Sequence, residues 1–199
     1  MLECLNVKMF YLKGKIVNLK KDWVVIEVNN IAFKVFLPKR EIASLKLFQF
    51  QKIYTFFYYN LSQNSFSIFG FLEERELYFF EILVALPQVG PKIALAVLDL
   101  ADIDTLISAI KNQKVEFFSK ISGVGKKTAQ RMILELNSKI NQIEKFVSKE
   151  VKEKDFELIE VLESLGFRKE RILSILKKIN PKLSFEEKLK EAIKMLSNQ

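Results

Sequence analysis

Leu86-Pro87-Gln88-Val89-Gly90-Pro91-Lys92-Ile93-Ala94 and Ile121-Ser122-Gly123-Val124-Gly125-Lys126-Lys127-Thr128-Ala129 are the two stretches from which the rest of the chain is read. They repeat one pattern: an apolar residue, a tight Val-Gly turn, a small or basic residue, then a helix opening on Ala. The pattern suits an anion. Gly90 and Gly125 lack a Cβ, so the backbone can turn sharply and approach a ligand closely. The helix that follows leaves its first N–H groups without intrahelical partners and carries partial positive charge there. A phosphate at that point meets both, and Lys92, Lys126 and Lys127 add full charges.

A glycine turn between helices is common, and a single copy reads most simply as a connection. Two copies, each followed by Lys and then Ala, favour a repeated phosphate grip. The pair resembles the tandem helix-hairpin-helix motif, which holds DNA backbone without reading sequence. The wider chain resembles the RuvA family, the DNA-binding subunit of the bacterial Holliday-junction branch-migration machine. That resemblance implies DNA contacts from Gln88, Val89, Gly90, Pro91 and Lys92 in the first hairpin. In the second it implies Ser122, Gly123, Val124, Gly125, Lys126, Lys127 and Thr128. Arg131, one turn further on, is either a phosphate contact or a solvated surface residue. Gln88 stands where the family usually has Gly. It either stores strain of roughly 1 kcal/mol or more at positive φ or shows that this hairpin tolerates an ordinary backbone.

Composition narrows the alternatives. An apolar share of 49% and a charged share of 28% are those of a soluble globular protein. No apolar run approaches the roughly 18 residues of a membrane span; Phe79–Leu86 is short and broken by Glu81. No secretory signal is evident, and the single Cys4 excludes an internal disulfide and fits a reducing cytoplasm. With no His and one Cys, zinc fingers and His-based triads are excluded. No Walker loop is present, so energy for any motor must come from a partner. Neither a cofactor nor a metal is expected.

The net charge of +8 is uneven: residues 1–70 hold 10 Lys and Arg against 4 Asp and Glu. A basic first third suits nucleic acid or an acidic membrane. Residues 71–140 balance at 9 and 9, yet Lys120, Lys126, Lys127 and Arg131 gather around the second hairpin with no acid among residues 117–134.

Residues 1–70 read as a small β-domain. Runs at 11–17, 23–28, 31–36, 52–59 and 66–69 are β-branched and aromatic, and Asn29-Asn30 is an acceptable two-residue hairpin turn. Five short strands in so few residues predict an oligonucleotide-binding (OB) type barrel. Phe10-Tyr11-Leu12-Lys13-Gly14-Lys15-Ile16 and the closing Phe69-Gly70-Phe71 carry the family resemblance here. Met1–Lys8 precede the usual family start, which makes Met9 a candidate initiator. Best-known members carry acids in the last hairpin loop, forming a pin at the junction centre. Gln63 and Asn64 stand there in this chain, and amides cannot repel phosphate by charge.

Residues 71–141 read as an all-α domain around the two hairpins, with a helix at 73–85 and Asp102 as an N-cap. Lys and Glu alternate over 145–154, so residues 142–154 are expected to be a flexible linker. Over 155–199, Phe156, Ile159, Leu162 and Leu165 recur at helical spacing, Gly166 suits a C′ position, and Ser184-Phe185-Glu186-Glu187 is a capping box. Three helices follow, which gives an α+β multidomain chain, and the Leu165-Gly166-Phe167 turn resembles that of ubiquitin-associated (UBA) domains. It also resembles the turn by which the RuvA family docks its motor, implying partner contacts from Leu162, Leu165 and Phe167. Leu162 reads equally well as core.

The implied protein is a non-catalytic, structure-selective binder of four-way DNA junctions. Its implied partners are a RuvB-type hexameric ATPase, further copies of itself as a tetramer or paired tetramers, and, as a further candidate, a junction-resolving nuclease. Two rivals remain. A general hairpin scaffold would show no junction preference. A glycosylase or nuclease would need a catalytic Lys or carboxylates near a hairpin, where Asp99 is the nearest candidate and has no paired acid.

Overall fold

The computed structural model describes residues 10–60, 64–176, 178–180, 183 and 185–197, with the side chains of 149–155 outside that description. Met1–Met9, Gln63, Pro181 and Ser184 therefore lie outside the described residues. The chain divides into two compact units, Met1–Glu144 and Lys145–Gln199.

The first unit opens with β1 (Tyr11–Leu19), β2 (Trp23–Val28) and β3 (Ile31–Phe36). A short α1 (Lys39–Ile42) leads to β4 (Phe50–Asn60) and β5 (Ser65–Phe71). These strands close a barrel in the order β1-β2-β3-β5-β4. Period-two alternation explains its inside: Leu12, Ile16, Val24, Ile26, Val35, Ile53 and Ile68 fill it, and Ile42 and Leu45 pack onto the same core. Asn29 and Asn30 both take positive φ, at 49° and 65°, as the tight β2–β3 turn requires. A Cβ at Gly14 would lie 2.1 Å from the Glu27 carbonyl oxygen, so β1 passes β2 closely at that point.

Strands β4 and β5 outrun the barrel. Pairing of β4 with β1 stops at Tyr54, and β5 meets β3 only at Ile68 and Phe69. Tyr58–Asn60 pair with Ser65–Ser67 and, among the described residues, with no third strand, as a two-stranded ribbon.

Helices α2 (Glu74–Val84), α3 (Pro91–Leu100), α4 (Ile103–Lys111), α5 (Val115–Phe118) and α6 (Lys126–Ser138) follow. The Asp102 side chain accepts the Thr105 N–H at 2.8 Å, capping α4 as its sequence implies. Phe80 of α2 ties this layer to the barrel, with its ring centroid 4.9 Å from Phe71, 5.3 Å from Phe69 and 5.4 Å from Phe56.

A polar cluster adds to that joint. The Arg40 guanidinium pairs with buried Glu76, its Nε donates to the Leu98 carbonyl at 2.6 Å, and its backbone N–H donates to Asp99 at 3.1 Å. Buried Glu41 accepts the Leu72 N–H at 2.8 Å through Oε2, while Oε1 has no hydrogen-bond partner among the described residues. Burial, and next the charge of Glu76, push the Glu41 carboxyl well above the usual carboxylate range.

Helix α7 (Ile140–Ser164) takes in residues 142–154. Lys and Glu, which dominate the segment expected to be a flexible linker, have good helix propensity. In the second unit α7 is followed by α8 (Lys169–Leu176) and α9 (Phe185–Ser197). Leu158, Leu162, Ile172, Ile175, Ile179, Ala192 and Leu196 form its core. Phe156 and Leu165, which share helical spacing with Ile159 and Leu162, are 57% and 56% exposed. Helix α7 ends at Gly166 with φ 90°, the Phe167 N–H donating to the Leu162 carbonyl and the Gly166 N–H to that of Glu163. This is a Schellman cap, and its left-handed residue is glycine.

Candidate nucleic-acid interface

The two hairpins match position by position. Leu86 and Ile121 are buried at the entry, and Val89 and Val124 at the turn. The Val89 N–H donates to the Leu86 carbonyl at 3.2 Å, and the Val124 N–H to that of Ile121 at 3.0 Å. Gly90 and Gly125 are the N-caps of α3 and α6, with φ,ψ of −83°, 171° and −77°, 167°. Ala94 and Ala129 close each first turn by donating to those glycine carbonyls, at 3.0 Å and 2.9 Å, and are fully buried. Helix α4 packs on α2 and on α6, joining the two copies.

The remaining matched pair is Gln88 and Gly123, at φ 66° and 85°. The position does require left-handed backbone, so Gln88 carries the strain rather than escaping it. Gly90 and Gly125 have ordinary extended φ, so the sharp-turn reason for them fails. A Cβ at either would meet nothing within 4 Å, so no protein neighbour requires glycine there. The space above both is open.

Neither helix start has a side-chain cap, so the first N–H groups remain available to an outside acceptor. Pro91 occupies N1 of α3, where a missing N–H costs nothing. Lys92, Ser122, Lys126, Lys127 and Arg131 are exposed, and Thr128 is half-buried. The Val89 and Val124 side chains are buried, leaving only backbone to offer a ligand.

Glu116 was invisible to a count of acids between 117 and 134. It lies 3.1 Å from Lys126 Nζ, in an exposed ion pair. Asp99, the one candidate for a catalytic carboxylate, is engaged by the Arg40 N–H.

At the ribbon end, Asn64 has φ 45° and accepts from the Tyr59 hydroxyl. In the second unit Leu162 is fully buried, so it belongs to the core; Phe167 is packed against that core, and Leu165 is the residue displayed. Among the described residues no group of three or more His, Cys, Asp or Glu is placed to hold a metal, and no helix is long and apolar enough to cross a membrane.

A small closed barrel fused to twin helix-hairpin-helix turns defines a class of protein built to hold nucleic-acid backbone. Residues 9–70 match the family model for the RuvA N terminal domain, and residues 80–138 that for the SAM-like helix-hairpin-helix tandem. A protein from Caldanaerobacter subterraneus subsp. tengcongensis named Holliday junction branch migration complex subunit RuvA is 35% identical over 188 residues, covering 94% of this chain and 98% of that one. Proteins of the same name from Phytoplasma mali and Clostridium botulinum are 31% and 32% identical, over 188 and 193 residues. Each match takes in 94% of this chain and, respectively, 97% and 98% of the relative. The chain belongs to the RuvA family.

Proposed function

We propose that this chain binds four-way (Holliday) DNA junctions and holds them open for branch migration by a RuvB-type hexameric ATPase, in recombination and repair. The observation that carries the reading is the pair of matched hairpins. Each offers uncapped helix N–H groups, an open glycine and adjacent lysines to a phosphate. Two such grips hold backbone without reading bases, so selectivity must come from the geometry of the arms. The chain acts as a non-catalytic subunit in the cytoplasm, with ATP hydrolysis in the partner. Copies assemble around the crossover as a tetramer or paired tetramers, and a junction-resolving nuclease is a candidate further partner.

Within that reading the barrel and the hairpin domain work as one DNA-holding body, and residues 155–199 serve as the motor-docking domain, with Leu165 and Phe167 at the contact. The ribbon loop with Gln63 and Asn64 lies at the crossover. It acts there by shape and amide hydrogen bonds rather than by charge.

A competition gel shift tests the reading. Labelled four-way junction is challenged with excess linear duplex of the same sequence at near-physiological salt. Because non-specific phosphate binding weakens steeply with salt, a retained junction complex means geometry is recognised. Loss of that complex in Lys126→Ala/Lys127→Ala places the grip on the second hairpin. Equal competition by linear duplex leaves a general hairpin scaffold instead.

A further inference from the structure

The outer face of β1 and β4 displays rings and amines that the hairpins do not use. Register sets Tyr11 opposite Tyr54, Lys13 opposite Lys52 and Lys15 opposite Phe50. Alternation turns all six away from the core that Leu12, Ile16 and Ile53 fill. Lys52 Nζ lies 4.5 Å from the ring centroids of both Tyr11 and Tyr54, and Lys15 Nζ lies 5.1 Å from that of Phe48. Phe48 and Phe50 are each 66% exposed, and Tyr11 is 50% exposed. Phe48 also sits at φ 66°, a conformation that bulky residues rarely adopt. No burial of its ring offsets that strain. Glu27, opposite Lys15 on β2, is the acid neighbouring this face.

We propose that this face is a stacking platform for unpaired nucleotides, which lay bases on Phe48, Phe50, Tyr11 and Tyr54 while Lys13, Lys15 and Lys52 meet the phosphates. Neighbouring side chains along one strand face are spaced at about 6.7 Å, which separates successive rings with a lysine between them. A single strand presents both things the face can use, since every base has a π-face and every linker a negative charge. Intact duplex presents only the charge, because its bases are stacked on each other. A second protein copy would be satisfied by the apolar area, but three lysines set among the rings suit a polyanion. The site is separate from the duplex grip of the hairpins and does not depend on junction selectivity.

The test uses fluorescence anisotropy of the full chain with labelled oligothymidylate of about 16 nucleotides, the upper site size for one such barrel. Phe48→Gly/Phe50→Ala is expected to weaken that binding about tenfold or more while leaving linear-duplex affinity and sedimentation mass unchanged. Phe48→Gly alone relieves the left-handed strain, so it should melt no lower than the parent chain while binding the single strand less well. Lys13→Gln/Lys15→Gln should lower the log–log salt slope by about 1.4, at about 0.7 per single-strand phosphate. Unchanged oligothymidylate affinity in the folded double variant overturns the proposal. A fall in sedimentation mass also overturns it, because the face is then an interface between copies.

Discussion

Gln88 and Gly123 occupy the same turn position, yet only one of them is glycine. A non-glycine residue there pays for left-handed backbone, and glycine pays with extra freedom in the unfolded chain. Gln88→Gly is therefore expected to stabilise the protein by up to about 1 kcal/mol, raising Tm by roughly 2–4 °C. Gly123→Gln should lower it, and thermal melts of both variants check the sign. Glu41 makes a second case. Its carboxyl is raised in the fold, by burial first and by the charge of Glu76 second, against the Leu72 N–H and Arg40, which favour the charge. Folded protein thus holds a proton that unfolded protein has released. Stability falls as pH rises from the unfolded carboxylate range through the raised value. Glu41→Gln keeps an acceptor for Leu72 and cannot ionise. It should melt higher than the parent at pH 8, with the advantage shrinking towards pH 4.

Elements differ in how plainly the residues announce them. Strands of the barrel are legible because alternation has period two and Asn29-Asn30 punctuates it; all five strands were placed within about two residues at either end. Gly14 gave no such signal, since its reason is the Glu27 carbonyl on the neighbouring strand. Gly14→Ala forces β1 from β2 and should cost about 1–3 kcal/mol or more by overpacking, read as a lower urea midpoint. Residues 142–154 read as a flexible linker because Lys and Glu alternate over 145–154, yet the backbone there is helical. Ile143 and Val147 of that segment are buried at helical spacing, and Lys and Glu add good intrinsic propensity. The hairpins were legible from a repeated motif, but a motif names positions and not directions. It could not show that Val89 and Val124 turn inward, nor that Leu162 is core while Leu165 is displayed.

Across the whole molecule, a net charge of +8 gives attraction to any polyanion, so affinity alone cannot separate a built grip from general charge. The salt slope can. Each phosphate neutralised on duplex DNA contributes about 0.9 to the fall of log K with log salt. If both second-hairpin lysines meet phosphate, Lys126→Ala/Lys127→Ala lowers the slope by about 1.8 on that principle, and equally for every duplex sequence. The two residues should not count alike in affinity. Lys126 is held at 3.1 Å by Glu116 and must leave that exposed pair to bind, whereas no ion pair of Lys127 is described. Exposed pairs are weak, so freeing Lys126 by Glu116→Gln should tighten duplex binding by no more than about fivefold. That gain should fade as salt screens both interactions, and it should vanish in a Lys126→Ala background. Measured across a salt series, a Glu116→Gln gain that persists without Lys126 would mean that the acid repels DNA directly. No gain at all would place Lys126 away from the phosphate.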